Sequence, residues 1–98
     1  MAMNISDFIP YGRANAIPQK QLALLTGQTP REVRRAVFNA RRDGEPICSS
    51  VDETDGGYFY PAEPREALEY LRTQQSRIKS ARTALAAVEK YIEREGCA

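Results

Sequence analysis

The stretch "LTGQTPREVRRAVFNARRDG", residues 25–44, joins the start signal of a helix to a row of arginines. Thr29, Pro30 and Glu32 have the spacing of a capping box with proline at the first helical position. Such a box satisfies backbone N–H groups that a helix start otherwise leaves without partners. We therefore predict that a helix begins at Pro30 and extends over residues 30–43.

A second helix is expected immediately before this one. Pro18 is tolerated in a first helical turn, and Gly27 ends the helix because glycine takes a left-handed conformation without steric cost. Gly44 is expected to end the helix that follows in the same way. The side chains of the first helix that we expect to face the core are Leu22, Ala23 and Leu25.

The helix over residues 30–43 has two chemically different faces. Apolar residues recur at helical spacing and mark a buried stripe, namely Val33, Ala36, Val37 and Ala40. Arg31, Arg35, Phe38 and Arg42 lie on the opposite face, and Arg34, Asn39 and Arg41 lie on the flanks. We expect Phe38 to pack on the N-terminal segment or on a partner. Within residues 31–42, five arginines against the single Glu32 give a local charge of +4, which can steer an anionic partner.

The next segment has the pattern of a β-hairpin. "PICSSV", residues 46–51, and "GYFYP", residues 57–61, are strand-like, and the polar stretch "DETDGG" between them predicts a turn. Asp52, Glu53 and Asp55 make this turn acidic, so DNA would repel it. Three interpretations are open: the turn lies away from DNA, it binds a protein, or it is only a soluble turn. Upstream, "ISDFIP" predicts a short first helix with Asn4 or Ser6 as its cap.

Residues 64–95 contain no glycine and only Pro64, at the start, and they predict one long helix or two helices in series. A heptad-like apolar stripe with one polar position runs along them: Leu71, Gln74, Ile78, Ala81, Leu85, Val88 and Ile92. The stripe could pack back onto the chain, which we expect of Leu68 and Leu71. Farther out it could form a homodimer seam, and the candidate dimerisation residues are Leu71, Ile78, Ala81, Leu85, Val88 and Ile92. We therefore expect the chain to divide into a first domain, residues 1–62, and a C-terminal helix, residues 63–98, which forms a dimer or packs on that domain.

Composition narrows the classes of function. The 98 residues carry a net charge of +1, no histidine and two cysteines, so one chain cannot supply a usual four-ligand zinc site. No histidine base, glycine-rich phosphate loop or activated nucleophile is recognisable, and we expect neither an enzyme nor a cofactor or small-molecule substrate. The sequence has no apolar run long enough for a membrane span and no signal peptide, which favours a cytoplasmic location with free thiols.

The motifs "IPYGRANAI", "LTG", "REVRRAV", "PICSS" and "GGYFY" together resemble small winged-helix, helix-turn-helix DNA-binding proteins of phages and prophages of Gram-positive bacteria. The resemblance covers residues 8–62 well and the last third more loosely. It implies a mainly α fold with a small β-hairpin, a winged helix-turn-helix followed by a long C-terminal helix. This sequence departs from the family pattern at Gln28, where an aliphatic residue is usual, and at Pro18, where a Ser or Thr cap is commoner.

The resemblance also implies that the arginine-rich helix enters a DNA major groove. The N-terminal part of such a helix contacts base edges, which makes Arg31, Arg34 and Arg35 the base-edge candidates. Asn39 could pair with adenine or contact phosphate. The later arginines are better placed for phosphates, as are residues near the helix starts. The full set of candidate DNA-binding residues is Lys20, Gln28, Thr29, Arg31, Arg34, Arg35, Asn39, Arg41 and Arg42.

The sequence therefore predicts sequence-specific binding of double-stranded DNA, as a phage or prophage transcriptional regulator or a replication-associated factor. The alternative is a protein–protein interaction module on the same fold. The predicted core comprises Phe8, Ile9, Ile17, Leu22, Leu25, Val33, Val37, Ile47, Phe59 and Leu71.

Overall fold

A computed structural model describes residues 4–50 and 56–96. In these ranges the chain is mainly helical, with a two-stranded antiparallel hairpin and a long C-terminal helix, as predicted. The elements are α1 (Gln19–Thr26), α2 (Pro30–Arg42), β1 (Cys48–Ser50), β2 (Gly57–Phe59) and α3 (Pro64–Glu95), preceded by short 3-10 turns at Ile5–Phe8 and Arg13–Asn15. The acidic turn around Asp52, Glu53 and Asp55, and also Cys97, lie outside the described residues.

The corner between α1 and α2 forms as the local signals predict. Gly27 ends α1 in the left-handed conformation, with φ at 70°. The Thr29 hydroxyl accepts from the backbone N–H of Glu32, and the Glu32 carboxylate accepts from the backbone N–H of Thr29. The N–H of Gln28 donates to the carbonyl oxygen of Ala23 at 3.0 Å. The corner is therefore tight, although Gln28 occupies a position at which the proteins that this sequence resembles usually have an aliphatic residue.

A third short segment of backbone, at Ile17, pairs with the hairpin. β1 pairs with β2 so that Cys48 lies opposite Phe59. Ile17 and Tyr58 exchange both of their backbone hydrogen bonds, each at 2.9 Å. Gly57 makes this approach possible because a Cβ at that position would lie 2.2 Å from the Ile17 carbonyl oxygen. The close contact holds the segment before α1 against the hairpin.

The core lies between the N-terminal segment, α1, α2 and the hairpin. Seven of the ten predicted core residues are buried, namely Ile9, Ile17, Leu22, Val33, Val37, Ile47 and Phe59, and Phe8 packs against them half-buried. The predictions for Leu25 and Leu71 are wrong, because their side chains are 55% and 50% exposed.

Thr26 takes the core position that the sequence suggested for Leu25. The buried face of α1 is formed by Leu22, Ala23 and Thr26, and Leu25 lies about 100° around the helix from the centre of that face. The buried Thr26 hydroxyl donates to the carbonyl oxygen of Leu22 at 2.9 Å. A threonine can therefore occupy the interior because its polar atom is satisfied inside its own helix.

α3 is one continuous helix, which settles the choice between one helix and two. Its first part contacts β1, but not through the leucines that we expected to pack back. Leu68 and Leu71 are exposed, and the half-buried side chains of this part are Glu66, Ala67, Tyr70 and Gln74. Gln74, the polar position in the predicted stripe, is the last of them. None of the helices in the described ranges is long and apolar enough to cross a membrane.

Candidate nucleic-acid interface

The outer face of α2 is a row of exposed cations. Arg31, Arg34, Arg35 and Arg42 are all exposed. Within the described part of the chain, no hydrogen bond or salt bridge engages their guanidinium groups. The opposite side of the same helix is anchored by Val33 and Val37, which are buried. α2 therefore presents an unpaired positive surface, with three of its four arginines in the first half of the helix.

The start of α2 is held by contacts that leave its arginines outward. The pKa of the Glu32 carboxyl is below its ordinary value, mainly because the backbone N–H of Thr29 donates to it. Gln19 on α1 reaches across the corner, and its side-chain amide donates to the Pro30 carbonyl oxygen at 2.9 Å. No local sequence pattern predicted this hydrogen bond between the two helices. It joins the start of α1 to the start of α2, in addition to the core packing between the two helices.

The three candidates near the corner occupy different environments. Lys20 is exposed on α1, free to meet a ligand beside the α2 start. The hydroxyl of Thr29 is already used as the helix cap, and its backbone N–H already donates to the Glu32 carboxylate, so the capping box engages both groups. Gln28 is half-buried, and its side-chain carbonyl oxygen is buried with no hydrogen bond in the described structure.

Arg41 lies apart from the other arginines. Its Nε donates to the carbonyl oxygen of Ile47 at 2.8 Å. Its guanidinium carbon lies 5.9 Å from the ring centre of Tyr58 and 5.6 Å from that of Tyr70, distances typical of cation–π contacts. Arg41 thus joins α2 to the hairpin and to α3. Its phosphate-contact role stays untested, but the structure gives the side chain an internal one.

The same junction is visible in the protonation of Tyr58. Burial raises the pKa of the Tyr58 hydroxyl, and the positive charges of Arg41 and Arg34 oppose that rise. Arg34 is therefore close enough to the hairpin for its charge to act there, while its side chain remains exposed.

Two further residues on α2 complete the face. Asn39 lies on the flank of α2 and is half-buried. Phe38 is 64% exposed, so the expectation that it packs on the N-terminal segment is wrong; packing on a partner remains a prediction. Leu24 on α1, which we had not singled out, is 79% exposed.

A carboxylate on α3 ties the helix to the rest of the fold, away from the arginine face. Glu66 accepts from the backbone N–H of Arg13 at 3.0 Å and from that of Ala62 at 2.8 Å. Both hydrogen bonds lower the pKa of the Glu66 carboxyl, and the bond from Ala62 has the larger effect. Tyr60 donates its hydroxyl to the Glu45 carboxylate at 2.9 Å. Across the described ranges, no three His, Cys, Asp or Glu residues converge as metal ligands would.

No protein-family model matches this chain, and no curated protein or solved structure is significantly similar to it. A functional proposal therefore depends on the geometry and charge of its own residues.

Proposed function

We propose that the protein binds double-stranded DNA in a sequence-specific manner, with α1 and α2 acting as a helix-turn-helix and the hairpin as its wing. The single observation that carries the proposal is the exposed, unpaired row of Arg31, Arg34 and Arg35 on the first two turns of α2. In helix-turn-helix docking, this part of the second helix contacts base edges in the major groove. A small phage or prophage regulator, or a replication-associated factor, would use such a surface.

The proposed roles follow from the position of each side chain. Arg31, Arg34 and Arg35 read base edges, since a guanidinium can bond the O6 and N7 atoms of guanine together. Arg42, later on the same face, and Lys20 on α1 neutralise phosphates. Arg41 is assigned to the fold, because its hydrogen bond to Ile47 already orients it inward.

The test is binding to DNA at several salt concentrations, followed by selection of the preferred site from random duplexes. We expect binding that weakens steeply as salt rises, because each neutralised phosphate releases counterions. The triple variant R31A/R34A/R35A should lose sequence preference, at about 1–3 kcal/mol for each base contact removed. It should keep its melting temperature because the three side chains are exposed.

The matched control is R65A/R72A/K90A, which removes the same charge from exposed positions of α3. It should retain the preferred site and lose only the non-specific part of the affinity. Equal losses of preference in the two triple variants would contradict the assignment of α2 as the reading helix. Absence of salt-sensitive binding by the unmodified protein would contradict the function itself.

A second candidate function is a protein-interaction module on the same fold. The observation in its favour is the exposure of Leu24, Leu25 and Phe38 on the outer sides of α1 and α2. An interface built on such apolar side chains would depend little on salt. The salt series therefore separates the two candidates directly.

A further inference from the structure

The second half of α3 has an apolar face that nothing in the described chain covers. From Gln75 to Gly96 every residue is exposed, a length of roughly 33 Å. Four large apolar side chains recur there at spacings of seven, three and four: Ile78, Leu85, Val88 and Ile92. We call residues 75–96 the distal segment of α3. Soluble proteins rarely leave such a continuous stripe in water.

We propose that two copies of the chain pair through their distal segments, and that the two helices run antiparallel. This inference does not rest on DNA binding. It rests on which side chains the helix places beside the stripe and on the opposite charges of its two ends.

The apolar residues fit one another in this arrangement. Assigning Ile78, Leu85 and Ile92 to the first heptad position puts Ala81 and Val88 at the fourth. An antiparallel pair faces first positions with fourth positions, so Leu85 lies opposite Val88 of the second copy. The small Ala81 lies opposite the large Ile92. Leu85 and Ile92 thus each meet a smaller apolar side chain, whereas Ile78 lies opposite Glu95 at the end of the seam, and two-fold symmetry repeats every contact.

A parallel pair would be filled less evenly. Identical residues would then face each other, so Ala81 would meet Ala81 and leave space between two layers of larger residues. Unfilled space of that kind loses packing contacts on both sides. The order of large and small residues in the stripe therefore favours the antiparallel arrangement.

The charges beside the stripe distinguish the two arrangements more sharply. In the antiparallel pair, Arg82 lies along the same edge as Glu89 of the second copy, and symmetry makes two such opposite-charge pairs. In the parallel pair, Arg77 would lie beside Arg82 of the second copy, giving two like-charge pairs. Side chains that flank a helical seam select partner and orientation in this way. Neither Arg82 nor Glu89 has an ion-pair partner in the described chain.

The position of Gln74 explains why the seam begins where it does. Gln74 is half-buried and is the last α3 side chain held against the rest of the fold. The stripe is polar at that position because the helix is still packed on its own chain there, and it becomes apolar at Ile78. In the antiparallel pair the two Gln74 residues lie about 25 residues apart along the seam, or roughly 38 Å. The two α1–α2 units are then at opposite ends.

The experiment is sedimentation equilibrium on the full chain, without DNA, for the unmodified protein and charge variants of the distal segment. We expect a dimer. R82E and E89R should each weaken it about tenfold, because attractive pairs become repulsive ones. The double variant R82E/E89R should return to near the original affinity. A parallel pair predicts the opposite for R82E, which would place a glutamate beside Arg77 and tighten the dimer.

The controls are K90E and E93R, which make the same charge changes on exposed positions outside the seam. They should leave the dissociation constant nearly unchanged. The double variant I78D/L85D should be monomeric. Its circular dichroism spectrum should show that the rest of the chain is still folded. A monomeric unmodified protein, tighter dimerisation of R82E, or a double variant as weak as the single ones would each overturn the proposal.

Discussion

α2 and the distal segment of α3 have similar apolar periodicity but opposite surroundings. In α2 the stripe is buried at Val33 and Val37, while in the distal segment Leu85 is 58% exposed. Both stripes have the spacing of an amphipathic helix. The comparison teaches that periodicity identifies a face that must be covered, but not the chain that covers it. α2 is covered by its own fold, whereas nothing in the described chain covers the distal segment.

The largest expected effect comes from truncating one leucine of the core cluster that includes the buried residues of α2, and one leucine of the distal segment. Leu22 is 0% exposed, so L22A should lower the free energy of unfolding by about 3 kcal/mol through lost burial and a cavity. L85A, measured at concentrations low enough for the monomer, should change it by less than about 0.5 kcal/mol, because alanine is a good helix former and little surface is buried there. Chemical denaturation measures both. Similar losses would mean that the distal segment packs on its own chain.

A smaller effect is expected from a threonine pair. Thr29 caps α2, and T29A should cost about 1 kcal/mol because the backbone N–H of Glu32 loses its acceptor. Thr83 lies inside the distal segment, where its hydroxyl only donates to the carbonyl oxygen of Lys79. T83A should be neutral by the same denaturation assay. An equal cost at both positions would show that the capping box does not set the start of α2.

The smallest effect is the part of the pH dependence that Glu66 contributes at the start of α3, beside that of Glu32 at the start of α2. The folded-state pKa of Glu66 is lowered, so its contribution to stability is complete above its ordinary pKa of 4.5 and is lost as the pH falls through the lower folded value. E66Q should remove part of the acid sensitivity below that point. The control E93Q, in the distal segment, should keep it. Melting temperatures between neutral and acid pH measure the difference, and identical profiles for E66Q and the unmodified protein would refute it.

The sequence predicted best where the cause is local. The capping box at Thr29, the left-handed Gly27 and the cap at Asn4 depend on residues within a few positions of one another. The element order and most of the core followed from these signals together with periodicity. The continuity of α3 followed from the lack of an internal helix breaker.

The sequence predicted less well where a side chain's environment depends on residues that are close in space but distant in the chain. Leu25 and Leu71 have the right spacing and composition for a core, but the neighbouring elements contact the adjacent faces of α1 and α3. Arg41 has the same chemistry as Arg42, yet it is held by the Ile47 carbonyl and two aromatic rings. Among the candidate site residues, only the exposed arginines of α2 could be placed from the helix pattern alone.

The unbroken helix between Gln74 and Ile78 also sets a phase relation within the molecule. Each residue inserted there would rotate the apolar stripe by about 100° around the helix axis and advance it by about 1.5 Å. Seven inserted residues would nearly restore the original direction, within about 20°, while moving the stripe outward by two turns. Over evolutionary time, length changes in this part of α3 are therefore tolerable in steps of whole heptads. A single-residue insertion would turn the stripe to another side of the protein.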